Sequence, residues 1–103
     1  MTTFVNQNVD VDAFFFKGTD DGKGHSELKS FPRRIELGDT QYTFKDGLRF
    51  LARKGQRIVQ LFDMTDGQTT YRLRFDDQNE LGNKWTLIGT RNGGPTMPAG
   101  VGV

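Results

Sequence analysis

The feature that most constrains this chain is its punctuation. Between Phe31 and Thr90, four glycine-bearing turn signals recur at intervals of eight to twelve residues: Gly38-Asp39, Lys45-Asp46-Gly47, Lys54-Gly55 and Thr65-Asp66-Gly67. Segments that short hold a strand, and successive strands joined by tight turns pair antiparallel. The pattern predicts an all-β fold, an antiparallel up-and-down meander of about six or seven strands. It would form a strongly twisted sheet or a small barrel. The competing reading is local: Leu48, Leu51 and Ala52 also fit helical spacing, with Lys54-Gly55 as a helix stop.

Turn chemistry sets an expected register. A three-residue Lys45-Asp46-Gly47 loop, with Gly47 left-handed, places Phe44 opposite Leu48 and Tyr42 opposite Phe50. A two-residue Asp46-Gly47 loop would instead set Phe44 against Arg49, splitting the apolar side chains between faces. A Lys54-Gly55 loop pairs Ala52 with Arg57, Phe50 with Val59 and Leu48 with Leu61. Thr65-Asp66-Gly67 pairs Leu61 with Tyr71, Val59 with Leu73 and Arg57 with Phe75. The longer connection 77–83 sets Phe75 against Trp85 and Leu73 against Leu87. Gly38-Asp39 sets Leu37 against Thr40 and Ile35 against Tyr42. One apolar face then runs across six strands. Val9 to Phe16 is a seventh strand, able to cover an edge or close a barrel.

The length of 103 residues suits one domain over 1–90, with a flexible loop at 18–26 and a disordered Gly/Pro-rich tail at 91–103. Nine Phe, two Tyr and one Trp supply a dense aromatic core. Residues 31–62 carry seven Lys or Arg against three acids, yet the whole chain is only +1. That balance gives no strong pull toward nucleic acid or membranes. No apolar run approaches the ~20 residues of a membrane helix. Met1 to Asn8 has neither the basic start nor the apolar stretch of a signal peptide, so the cytoplasm is the expected compartment. The absence of cysteine removes disulfides, thiolate catalysis and zinc–sulfur sites.

The alternate face of the expected sheet is unusual. It carries Arg49, Leu51, Arg53, Ile58, Gln60, Phe62, Thr70, Arg72 and Arg74, arginines interleaved with apolar groups. Arginine stems covering an apolar surface explain such a face without any ligand. A binding face explains it too, because Arg and aromatic groups suit protein interfaces and single-stranded nucleic acid. The expected function is therefore a non-catalytic binding module that uses Arg49, Arg53, Gln60, Phe62, Arg72 and Arg74. Its partner would be a protein or single-stranded nucleic acid. An edge left open by 84–90 would also invite homo-oligomers. The alternatives are a small-molecule carrier lined by Tyr42, Phe50, Tyr71 and Trp85, and an enzyme with weakly marked carboxylates.

Other motifs carry less. Gly18-Thr-Asp-Asp-Gly-Lys-Gly24 lacks the spacing of a phosphate-binding loop, and no helix follows it. His25, the single histidine, has no second histidine or cysteine to share a metal with. Asp63-Met-Thr-Asp66 and Asp76-Asp-Gln-Asn-Glu80 do not match an EF-hand, and turn chemistry accounts for them. No set of residues assigns a nucleophile, its base and an oxyanion donor. No cofactor or metal is expected. The meander is common to several classes of small β protein, and no stretch carries a signature that singles one out.

Overall fold

The computed structural model describes residues 2–20, 26–78 and 84–92. These form eight strands and no helix: β1 (Thr2–Asn8), β2 (Asp10–Asp20), β3 (Ser26–Leu37), β4 (Thr40–Thr43), β5 (Asp46–Lys54), β6 (Arg57–Thr65), β7 (Thr69–Phe75) and β8 (Trp85–Asn92). All pairings are antiparallel. A five-stranded sheet, in the order β1-β8-β7-β6-β5, faces a three-stranded sheet, in the order β2-β3-β4. The arrangement is a two-sheet sandwich with no closed barrel. Segment 48–53 is strand, so its helical reading is excluded. Residues 18–20 and 26 continue β2 and β3, and Arg91 and Asn92 end β8. The rest of the expected loop, 21–25, and of the expected tail, 93–103, lies outside the described residues.

The sheets are joined where two chain segments change partners at a buried apolar residue. The Phe44 N–H donates to the Arg33 carbonyl of β3, and the next N–H, of Lys45, donates to the Thr65 carbonyl of β6. Phe44 is only 3% exposed and belongs to the core. Val9, also buried, lies between Asn8, which pairs with β8, and Asp10, which pairs with β3. Such corners let one chain segment serve two sheets. They overturn the expected β4–β5 hairpin: Lys45-Asp46-Gly47 is a crossing, because burying Phe44 between the sheets outweighs folding back on itself.

Two hairpins have the expected register. Leu37 pairs with Thr40 and Ile35 with Tyr42, around Gly38 at φ 60°. Phe75 pairs with Trp85 and Leu73 with Leu87, after which the register shifts beside Arg72. Beyond that shift Gly89 passes close under β1. A methyl at Gly89 would lie 2.5 Å from the Thr3 carbonyl oxygen, so the edge strand packs there only because no side chain intervenes. β1 thereby covers the β8 edge that the sequence left open, a role expected of no residue before Val9.

Two registers differ from expectation. The β5–β6 loop is Gly55-Gln56, with Gly55 at φ 63°, and it pairs Lys54 with Arg57, Ala52 with Val59 and Phe50 with Leu61. That offset is even and leaves the side chains of β5 and β6 facing as expected relative to one another. The β6–β7 offset is odd. Met64 pairs with Tyr71, Phe62 with Leu73 and Gln60 with Phe75, rather than Leu61 with Tyr71. The cause is Asp66, whose Oδ1 accepts the N–H groups of Gln68 and Thr69, so the turn takes the four residues 66–69, closed by the Thr65–Thr70 pair, instead of the expected three. An odd offset sends each β6 side chain to the opposite face from that expected relative to β7.

The core therefore uses Phe62 and Met64 from β6, with Tyr71, Leu73, Leu87, Phe31, Ile35 and Phe44. Rings interlock across the two sheets. Phe31 meets Phe62 edge-on at 5.9 Å, and Tyr71 contacts both Tyr42 and Phe44 at 5.2 Å. Offset and edge contacts of this kind add stability beyond the area they bury. Val59 and Leu61, expected in this core, lie on the other face and are buried there.

Candidate functional site

The corrected register divides the expected arginine face in two. On the inner face of the large sheet, Arg49, Phe62, Leu73 and Leu87 form one cross-strand row. Leu51, Gln60, Phe75 and Trp85 form the next, and Arg53 with Ile58 ends the series. Arg72 and Arg74 are on the outer face, in rows with Asp63 and Leu61. The expected set of six thus does not form one surface.

Arg72 is fully buried. Its Nε and Nη2 donate to Asp63 Oδ1 and Oδ2 at 2.6 and 2.7 Å, a two-point match of guanidinium to carboxylate. Its guanidinium also sits 4.9 Å from the centre of the Phe50 ring. Asp63, expected in a turn-forming acidic loop, is instead this buried partner. Arg74 is half-buried. Burial and pairing give Arg72 a structural duty.

Arg49, Arg53 and Gln60 occupy an inner face that the three-stranded sheet leaves partly uncovered. Arg49 Nε donates to Gln60 Oε1 at 2.8 Å, which orients both side chains. Between this end and the small sheet lies a cleft of about 200 Å³, lined by Phe14, Ser30, Gln60, Phe62, Phe75 and Trp85. Trp85 is its hub, with ring centres at 4.8 Å from Phe75, 5.4 Å from Phe62 and 6.2 Å from Phe14. Phe62 is buried and forms part of the cleft wall. Phe14, in the cleft wall, is 50% exposed, and the inner face of the large sheet carries two more exposed apolar side chains: Leu51, which pairs with Gln60, at 57%, and Ile58 at 62%. The pairing of Phe75 with Trp85 was readable in the sequence. Phe14 entered only as one of three consecutive phenylalanines.

The hairpin that carries this face is anchored from behind. Asp76, nearly buried, meets Arg57 Nη2 at 3.0 Å and Lys54 Nζ at 3.9 Å, and accepts the Gln78 N–H at 3.1 Å. Its own N–H donates to the Lys84 carbonyl. One carboxylate thus ties the β5–β6 tip to the β7–β8 connection and engages two of the four basic groups of β5 and the adjoining end of β6. Arg49 and Arg53 remain on the cleft side.

Three further groups depart from their ordinary titration. The Thr69 and Gln68 N–H groups hold the Asp66 carboxyl below the usual carboxylate range. Burial and the neighbouring Asp66 charge push the Tyr71 hydroxyl up. Hydrogen bonding to Arg34 holds Asp12 low at the surface. Among the described residues no His/Asp/Glu cluster could hold a metal, and no helix is long and apolar enough to cross a membrane. His25 lies outside them. No protein-family model, curated protein or solved structure matches this chain.

Proposed function

We propose that this protein is a non-catalytic binding module. It takes a protein partner on the uncovered inner face of its large sheet, seating one large side chain of that partner in the Trp85 cleft. The observation that carries this reading is an aromatic cleft with the exposed Phe14 in its wall, on a sheet face that also carries the exposed Leu51 and Ile58. A central aromatic pocket with an apolar surround and flanking arginines is the composition of a binding hot spot. The volume of about 200 Å³ is below the ~300 Å³ at which small-molecule sites begin. It suits one anchoring side chain better than an enclosed ligand. The carrier reading depended on an enclosed aromatic interior. In this fold Phe50 lies on the outer face, and Tyr42 and Tyr71 pack against each other.

The test compares wild-type protein with an Ile58→Asp/Arg53→Glu variant, both immobilised and exposed to extract of the native host. Both side chains are exposed, so the variant keeps its fold. A partner retained by wild type and lost by the variant is expected. A partner held equally by both would move the binding surface elsewhere.

A second reading rests on Arg49 and Arg53 beside the cleft rings, which resembles the chemistry of single-strand binding. Trp85, the single tryptophan, lines the cleft and reports on it directly. Quenching by single-stranded DNA or RNA that fades steeply as salt rises would favour nucleic acid over protein. Absence of quenching at low salt would remove that reading.

A further inference from the structure

Three guanidinium groups of this chain have a carboxylate of their own: Arg34 has Asp12, Arg57 has Asp76 and Arg72 has Asp63. Arg49 and Arg53 differ. Among the described residues no Asp or Glu lies within ion-pair distance of either. Arg49 donates only to the neutral Gln60. Both stand on the inner face of β5 with Leu51 between them, and the rise of a strand sets their Cα atoms ~13 Å apart. The carboxylates of this sheet are spent elsewhere, Asp76 on Lys54 and Arg57 and Asp63 on Arg72.

These two charges bracket an apolar surface. Leu51 and Ile58 are more than half exposed, and the Leu51 row runs on through Gln60 and Phe75 to Trp85. The small sheet covers the adjoining row, where Phe62, Leu73 and Leu87 are buried, and contributes Phe14 and Ser30 to the cleft wall. Over Leu51 and Ile58 the large sheet has one layer only. Taking the Trp85 cleft as a protein-binding site, we propose that an extended acidic segment of the partner lies face-down over this end of β5 and β6. Its carboxylates meet Arg49 and Arg53, and a large apolar side chain between them enters the cleft. The acidic partner stands on that reading of the cleft and adds its chemistry.

Charge and spacing select this occupant. Packed sheets stand ~10 Å apart, which is the depth of one extended chain with its side chains. Alternate residues of such a chain face the same way, so acids four positions apart match the ~13 Å between the arginines. The position midway between them faces Leu51 and the cleft. The partner pattern is therefore acid, any, apolar, any, acid. Arginine suits it, because the planar fork takes a carboxylate at two points while the stem packs on apolar surface. A basic segment would set like charges together. A nucleic acid strand fits less well, since Trp85 is engaged by the rings of Phe14, Phe62 and Phe75 rather than offered flat to a base.

The experiment is selection from a phage-displayed library of random linear peptides on the immobilised protein. Selected peptides are then synthesised without tryptophan and titrated against the emission of Trp85, the single tryptophan. Enriched peptides are expected to carry the acid-apolar-acid pattern, to change Trp85 emission and to bind more weakly as salt rises. Arg49→Gln/Arg53→Gln should weaken them on the order of tenfold, as for the loss of two exposed ion pairs. Arg49→Lys/Arg53→Lys should retain most of the affinity, and an unchanged urea midpoint in both variants shows that the fold is kept. Peptides that change Trp85 emission without an excess of acid, or that bind the Gln variant as tightly as wild type, overturn the acidic partner and leave the cleft as a binding site. Peptides that leave Trp85 emission unchanged overturn both. Tighter binding of single-stranded DNA than of any selected peptide makes the partner a nucleic acid instead. No enrichment over a bare surface overturns the acidic segment, and the extract comparison then decides the binding module by itself.

Discussion

Arg72 and Arg49 are two arginines of one sheet, each held by a side chain of β6, and their circumstances are opposite. Arg72 is sealed from water and bound at two points to Asp63, which is equally sealed. Arg49 is half-exposed and makes one hydrogen bond, to the neutral Gln60. The difference shows that residue type and strand position do not tell a binding arginine from a structural one. The face it occupies and what covers that face decide. A buried guanidinium without its carboxylate is an uncompensated charge, whereas an exposed one is simply hydrated.

The largest effect should come from breaking the sealed pair. Arg72→Ala or Asp63→Ala alone is expected to cost about 3–5 kcal/mol in urea unfolding, because each leaves the other charge buried. Asp63→Leu/Arg72→Met together should recover most of that loss. If the double variant is no more stable than either single one, the cost lies in packing rather than in the orphaned charge. Charge reversal at Arg72 would for the same reason report on folding and not on binding.

Asp76 should fall between the extremes, since its carboxylate is nearly buried while its partners Arg57 and Lys54 are partly exposed. Asp76→Ala is expected to cost about 1.5–3 kcal/mol, the range for hydrogen bonds to charged groups. Amides of the β5–β6 tip should exchange faster in that variant. Unchanged exchange there would mean that Asp76 does not anchor the hairpin.

The Asp66 turn should matter less. Asp66→Ala removes a carboxylate acceptor that water can partly replace, at about 1 kcal/mol. Because the folded state depresses the Asp66 carboxyl, its contribution is complete above the unfolded value of ~3.9. It disappears as pH falls through the lower folded value. Wild type should therefore lose its advantage over Asp66→Ala in acid, and a gap that persists there would contradict the assignment. Arg49→Ala closes the series with a change within about 0.5 kcal/mol, as for an exposed side chain. A larger loss would erase the distinction between the two arginines.

Much of the fold was legible. Antiparallel strands, the Gly38-Asp39 hairpin and the facing of Phe75 and Trp85 follow from turn residues and alternation. The candidate site was legible in part. Arg49, Arg53 and Gln60 were placed together correctly, and Phe62 joined them as a cleft wall. Arg72 and Arg74 were assigned to the wrong company because their faces depended on a loop length. The cleft-wall residue Phe14 could not be placed, since its neighbour Trp85 is brought to it by sheet packing and not by sequence spacing.

What the sequence determined by itself is therefore local: strand after strand, with glycine where the chain must turn left-handed. Tertiary structure decided which way those strands face and which neighbours they take. A strand alternates with period two, so one residue more in the Asp66 turn moves every β6 side chain across the sheet. The Asp66 carboxylate settles that length by accepting two backbone N–H groups. Phe44 and Val9 redirect the chain between sheets because a buried apolar side chain at a corner is stabilised only by contacts from both layers. Those contacts exist only after the layers have met.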